Sequence, residues 1–386
     1  MSLRKANKPL SLKQLRLLIE TKHYDCGKAF PNHSEHFLRA ERLRARREIP
    51  PVELAEVEVS KQRDAERLRD LENLYKATVR EVADLKQQMR AQESMPDVKP
   101  RDVRLRAQST KREATAIVVA SDWHCEERVT REATNGLNEF DLTIFSARAN
   151  LFFRNVALLI RKEARAIPIK NCILALIGDF ISGSIHADLA ESNQLGPMDA
   201  IALVQDTIAG GIQYLLRALP PGMSMTIVLK PGNHSRITPR QRVQTEHENS
   251  LEWLMGHSLA QFFKDEKRVT FVRDRSLLTY VEVYGRPIRF THGHAFNYAG
   301  GVGGITIPVN KKIAEWDKGR QAYLTVFGHL HTYLSGQRFI SNGSMIGYSP
   351  FSEWIGAAYE PPVQAFALID SKHGRTVQAP ILLEED

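Results

Sequence analysis

The chain has 386 residues, of which 42% are hydrophobic and 25% charged, and its 53 Lys and Arg against 45 Asp and Glu give a formal net charge of +8. That length suits one large domain with an appendage, or two domains, and the absence of any run of ~18 to 20 apolar residues speaks against a membrane span. Cys26, Cys125 and Cys172 are too few and too scattered for a disulfide framework. The opening Met1-Ser-Leu-Arg-Lys-Ala-Asn-Lys lacks the apolar core of a secretory signal, so a cytoplasmic location is expected.

The basic excess is confined to one end. Residues 1 to 114 hold 26 Lys and Arg against 18 Asp and Glu, and the remainder balances at 27 against 27. A basic helical arm is expected over residues 1–94, a linker over 95–114 and a second domain over 115–386. In the arm, Ser11 is placed to cap a helix from Leu12 onward. The segment His23-Tyr-Asp-Cys26 followed by His33 and His36 has zinc-like spacing. It departs from the finger pattern, however, with His23 where a first Cys belongs and too short a central gap, and reads as histidines on a polar loop. Arg39, Arg42, Arg44, Arg46 and Arg47 form an arginine-rich run that Pro50-Pro51 ends, suited either to a solvated helix face or to a polyanion. Residues 53–92 contain no Gly or Pro, and Leu68, Leu71, Tyr75, Val82, Leu85 and Met89 fall on a heptad with Thr78. A coiled coil through the 65–92 helix, pairing with a second copy or folding back on the arm, is expected. Met95-Pro-Asp-Val-Lys-Pro100 reads as a hinge.

Beyond the linker, apolar runs alternate with helical stretches. Ile117 to Ala120 and Cys172 to Ile177 flank a helix from about Ile144 to Arg165, in strand-helix-strand spacing. Pro197 is placed to open the next helix, which runs to about Ala218. Residues 277–291 read as a hairpin turning at Gly285-Arg286-Pro287, and further strand pieces fall in Phe339 to Pro350 and Ala365 to Thr376. Each of five apolar runs ends in residues that bind metals: Asp122-Trp-His124, Gly178-Asp179, Gly232-Asn233-His234, His292-Gly-His294 and Gly328-His329-Leu-His331. One rim of one sheet system could gather them all. Residues two apart on a strand share a face, so Asp122 and His124 are expected to clasp one ion with Trp123 turned away. The same parity leaves either His292 or His294 as the ligand. Oxygen and imidazole donors without thiolate suit manganese, iron, zinc or nickel. No Gly-x-Ser-x-Gly elbow or cysteine nucleophile appears. The glycine run Gly300–Gly304 lacks the ending of a phosphate loop and reads as a flap, with Asn297 and Tyr298 near the leaving group.

The ordered series Asp-x-His, Gly-Asp, Gly-Asn-His, His-Gly, Gly-His-x-His resembles the calcineurin-like metallophosphoesterases, a group that includes protein phosphatases, cyclic-nucleotide phosphodiesterases and Mre11/SbcD nucleases. The resemblance covers roughly residues 115–370. It implies an α/β fold, a four-layer α-β-β-α sandwich of two mixed sheets, and two divalent metal ions, with manganese the expected pair. Asp122, His124, Asp179 and His331 would bind one ion. Asp179, Asn233, His292 and His329 would bind the other, with Asp179 as the bridge. Water shared by two such ions loses its proton near neutral pH and can attack phosphorus. His234 is then the candidate general acid, and Arg236, with Asn233, a candidate phosphate-binding residue. Many relatives carry an acid after Asn-His, where this chain has Ser235, and protein phosphatases carry an aspartate where it has Ser182. The partner that orients His234 is therefore open, with Asp188 and Glu191 as candidates. The expected function is phosphodiester hydrolysis in nucleic acid or nucleotides. The alternatives are a phosphomonoesterase or protein phosphatase, and a nucleic-acid-binding or assembly protein with a secondary esterase domain.

Overall fold

The structure, a computed structural model, describes residues 9–21, 29–93, 112–297 and 304–384. The chain divides into two compact units, Met1–Leu105 and Arg106–Asp386. His23, Cys26, the hinge at 95–100, Tyr298 and most of the glycine run lie outside the described residues.

The first unit contains α1 (Leu12–Glu20), α2 (Glu35–Glu48) and α3 (Pro51–Glu93). Ser11 and Gln14 close α1 with a reciprocal capping box. Leu10, Leu15, Leu18, Phe30, Leu38, Ala45 and Ile49 form a small core. The arginine run is partly consumed by this packing. Arg42 donates to the Thr21 carbonyl at 2.6 Å, and Arg44 bonds the Leu10 carbonyl and, at 3.1 Å, the buried Glu41. Arg39, Arg46 and Arg47 are the exposed members. His33 stacks on Phe37 at 5.2 Å between ring centroids. Pro51 ends nothing further: it opens α3, where its missing N–H costs nothing.

The second unit is built on β1 (Ala114–Ala120), α4 (Leu142–Ala164), β2 (Ile169–Leu176), α5 (Ala187–Ser192), α6 (Pro197–Ala218), β3 (Ser224–Leu229), α7 (Leu251–Phe262) and β4 (Val269–Val272). There follow β5 (Thr279–Val283), β6 (Arg286–Phe290), α8 (Thr306–Asp317), β7 (Leu324–Phe327), β8 (Leu334–Ser335), β9 (Phe339–Ser341), α9 (Pro350–Trp354), β10 (Val363–Asp370) and β11 (Gly374–Leu382). One six-stranded sheet runs β11-β10-β1-β2-β3-β4, and a five-stranded sheet runs β5-β6-β7-β9-β8. Strands β1 to β4 are parallel, as are β6, β7 and β9, while β10 and β11 join antiparallel.

Strand parity creates the layers. Ile117, Val119, Ile173 and Ala175 pack with Ile288, Phe290, Leu324 and Val326 in a core between the sheets. Their alternates Val118, Ala120, Leu174 and Leu176 meet Phe152, Val156, Ile208 and Ile212 of α4 and α6. Val309 and Ile313 of α8 cover Phe327 and Phe339 of the second sheet. The result is the expected α-β-β-α sandwich. The β5–β6 hairpin turns one step earlier than expected, at Tyr284-Gly285, both with positive φ (51° and 73°), and Arg286 and Pro287 already belong to the return strand. Pro287 lies opposite Glu282, and its carbonyl accepts the Tyr323 N–H at 2.8 Å. The 339–350 stretch yields only the short β9 before an irregular loop, which the buried Arg148 holds through the Met345 and Ile346 carbonyls, both at 2.9 Å. Among the described residues no helix is long and apolar enough to cross a membrane.

Candidate metal centre

Asp122, Asp179, Asn233, His292 and His329 each follow the C-terminal end of a strand that runs parallel to a neighbour, β1, β2, β3, β6 and β7. Parallel strands end on one rim, and in α/β sheets that rim is where ligands collect. The candidate ligands do not sit on the strands themselves, as face parity would have it. Asp122, His124, Asp179, His329 and His331 have φ of 57°, 48°, 53°, 68° and 48°, in the left-handed region. Side chains other than glycine enter it at a cost of about 1 kcal/mol or more each. Cross-braces between the loops hold this strain. Trp123 N–H bonds the Asp179 carbonyl at 2.8 Å, Gly328 N–H the His292 carbonyl at 2.7 Å, and His329 N–H the Asp122 carboxylate at 2.9 Å. Two of the loops touch so closely that only glycine fits: a Cβ on Gly178 would lie 2.2 Å from Gly232 N, and one on Gly232 2.1 Å from Asp179 Oδ1.

These turns gather two sets of donors. Asp122, His124 and His331 form one and Asp179, His292 and His329 the other, the ligand atoms of each set lying within 4.8 Å of one another. In the first, His124 Nε2 faces His331 Nε2 at 3.2 Å, and His331 Nε2 is 3.5 Å from Asp122 Oδ1. In the second, His292 Nε2 is 2.9 Å from Asp179 Oδ2 and 3.2 Å from the Asn233 side-chain oxygen. His292, not His294, is therefore the member of the set. His294 stands behind it, with Nε2 3.3 Å from Glu246 and a buried Nδ1 that has no hydrogen-bond partner.

The donor nitrogens are aimed by hydrogen bonds on the far side of each ring. His292 Nδ1–H donates to the Ile177 carbonyl at 2.8 Å, which leaves Nε2 for a metal. Ser182 Oγ–H donates to Glu127 at 2.8 Å, so the same oxygen must accept from His124 Nδ1–H at 2.9 Å, and His124 Nε2 is free to ligate. These oxygen and imidazole donors fit divalent cations. Two imidazole nitrogens face to face at 3.2 Å need a proton or a cation between them.

His234 also lies at this rim. Its ring centroid is 4.9 Å from that of His124, and its backbone N–H bonds Asp179 Oδ1 at 2.8 Å. Neither Asp188 nor Glu191 orients it. The partner is the Ser182 carbonyl, 3.1 Å from Nδ1, and a carbonyl can only accept, so Nε2 is the nitrogen left for chemistry. Ser235, in the place of the acid of many relatives, is buried and bonded to Ser250 at 2.8 Å. Arg236 does not present an open fork: Nη1 donates to the Asn233 carbonyl at 2.6 Å and Nε to the Thr238 carbonyl at 3.2 Å, so it braces the ligand turn.

Electrostatics agree with a cation site. Burial opposes ionisation of Asp179, yet the neighbouring His292 and His234 hold it well below the usual carboxylate range. Burial would lower His292, but the Asp179 charge raises it to about 10. Burial, then neighbouring histidines, keep His124 and His329 well below the ordinary imidazole value, so both are neutral lone-pair donors.

Three residues here carry no signal of the site in the sequence. Glu252, on α7, accepts Phe180 N–H at 2.6 Å and Gly232 N–H at 2.8 Å, tying the two glycine-contact loops together. In the sequence it reads only as an acid in the first turn of a helix. Glu127 gives no signal beyond its nearness to His124. His186, a lone histidine in the sequence with no ligand spacing around it, has its ring 5.6 Å from that of His234.

No protein-family model matches the chain, and neither does any curated protein sequence. Among solved structures, an archaeal phosphodiesterase is similar at 12% identity over 69% of this chain and 99% of that one, with a TM-score of 0.32. Zinc-complexed Vps29 from Entamoeba histolytica is similar at 10% identity over 69% and 99%, with a TM-score of 0.26. A predicted phosphoesterase from Streptococcus pneumoniae is similar at 13% identity over 70% and 99%, with a TM-score of 0.25. The order of the ligand motifs, the two facing mixed sheets and the paired donor sets on one rim give the chain the fold expected of a calcineurin-like metallophosphoesterase.

Proposed function

We propose that the chain is a two-metal-ion phosphoesterase that hydrolyses phosphodiesters, with nucleic acid or nucleotides as the substrate class. The observation that carries this is the pair of donor sets on one rim with His234 beside them. Asp122, His124 and His331 would hold one ion and Asn233, His292 and His329 the other, with Asp179 shared. Divalent ions bound there supply charge neutralisation at phosphorus and acidify water.

The chain's own residues do the rest. Ile177 and the Ser182–Glu127 relay fix which imidazole nitrogens face the site. His234, anchored through Nδ1, holds a proton at Nε2 for the leaving oxygen. Such an acid matters most for a poor leaving group such as a nucleoside alkoxide.

His234→Ala is expected to keep its metal and to lose about 10²- to 10⁴-fold on natural diesters, the span of a positioned acid. On a nitrophenyl diester, whose leaving group needs no proton, it should lose far less. Equal losses on both would assign His234 to phosphate positioning. Turnover of mono- but not bis-p-nitrophenyl phosphate by the metal-loaded wild type would replace the diesterase reading with a monoesterase.

A further inference from the structure

The first unit carries a surface that the metal centre does not explain. Helix α3 runs 43 residues, about 65 Å at 1.5 Å per residue. Along it Leu68, Leu71, Tyr75 and Val82 are 57%, 58%, 70% and 44% exposed, and Leu74 and Val79 beside them 65% and 48%. Apolar side chains at spacings of three and four make a continuous seam, and a seam of this kind on a water-exposed helix is what another helix covers. Thr78, its one polar member among these, spends its hydroxyl on the Leu74 carbonyl of its own helix at 2.9 Å, so it brings no unsatisfied polar group to a covered seam.

We propose that α3 forms a parallel, in-register two-stranded coiled coil with α3 of a second copy of this chain. The flanking residues fit this occupant in this orientation. With Leu68, Tyr75 and Val82 as the first core position of each heptad and Leu71 and Thr78 as the second, Arg67, Leu74 and Glu81 precede the first positions, and Glu72, Val79 and Lys86 follow the second. In a parallel pair each preceding residue meets the following residue five places on in the other helix. That sets Arg67 beside the partner's Glu72, Leu74 beside the partner's Val79 and Glu81 beside the partner's Lys86. Each contact is complementary: two opposite-charge pairs flank an apolar one, and all six side chains are exposed and available. An antiparallel pair sets preceding against preceding and following against following, which brings Arg67 to the partner's Glu81 or Glu72 to the partner's Lys86 but never Glu81 to Lys86, so exchanging the charges at 81 and 86 separates the two orientations.

The test uses the full chain. Sedimentation equilibrium should give a dimer at low micromolar concentration, and Leu68→Cys should form an intermolecular disulfide that the wild type does not, because only a parallel in-register pair brings position 68 to itself. Glu81→Lys should weaken the dimer about tenfold, since two like-charge contacts replace two attractive ones, and Glu81→Lys with Lys86→Glu should restore it. Unchanged metal content in each variant shows that the second unit still folds. A monomer under these conditions would overturn the proposal. A dimer in which Leu68→Cys stays reduced, or in which the exchanged pair fails to recover, would overturn the parallel arrangement.

Discussion

Ser182 is the residue whose removal should separate the two histidines it serves. Its side chain relays His124 to Glu127 through bonds of 2.9 and 2.8 Å, while its backbone carbonyl holds His234 at 3.1 Å. Ser182→Ala removes the first function and keeps the second. His124 Nδ1 then has no acceptor within reach, because Glu127 lies 3.9 Å away. Loss of an outer partner of a ligating histidine costs about 10- to 100-fold in metal affinity, or ~1.4 to 2.8 kcal/mol. Competition with a chelating dye, with stoichiometry from elemental analysis, should show the loss in one of two ions. Ser182→Thr, which keeps the hydroxyl, should recover most of it. Glu127 acts on His124 through Ser182, so adding Glu127→Gln to Ser182→Ala should cost little more. The ratio of activities on natural and nitrophenyl diesters should stay at the wild-type value, because His234 keeps its anchor. Affinity within about twofold of wild type in Ser182→Ala would refute the relay, since even the low end of the expected loss is tenfold.

Asp179→Asn should release both ions or nearly so, and His331→Ala chiefly one; two ions retained at wild-type affinity by Asp179→Asn, measured by elemental analysis, would sink the bridging role. Burial, then the Asp179 charge, lifts Glu252 from 4.5 to about 7, so the folded protein binds a proton there that the unfolded chain has released. Its contribution to stability should fall as pH rises through that window, and Glu252→Gln should flatten this part of the profile in chelator-treated protein; equal slopes of denaturant midpoint against pH in both would refute it. Deletion of residues 1–113 should leave hydrolysis of a small diester intact, because every proposed ligand lies beyond residue 121. If the exposed Arg39, Arg46 and Arg47 hold a polyanion, the same deletion should weaken activity on long nucleic acid in a salt-dependent way; equal rates at low salt would show that the arm is no tether.

The sequence by itself determined the sandwich and marked the candidate donor residues. Alternating Ile117, Val118 and Val119 mark a strand covered on both faces, and a polar ligand directly after each such run can only fall at a strand end. Pro197 opened its helix where its fixed φ and missing N–H allow. Tertiary structure decided what those patterns could not carry. Face parity placed Asp122 and His124 on a strand, but both lie past it in left-handed turns, held there by the Gly178 and Asp179 carbonyls of a loop far away in the chain. The same parity left His292 and His294 equivalent; the Ile177 carbonyl, more than a hundred residues earlier, aims His292 into the site, while His294 turns to Glu246. Local acids looked like the partners of His234, yet its anchor is the Ser182 main chain, and a backbone carbonyl carries no residue signature. Glu252 reads as a helix-dipole acid until Gly178 and Gly232 bring two loops together and leave the Phe180 and Gly232 N–H groups to be satisfied. Residue type and spacing follow from short-range periodicity, whereas the aim of each nitrogen depends on buried hydrogen bonds between segments that meet only when the sheets pack.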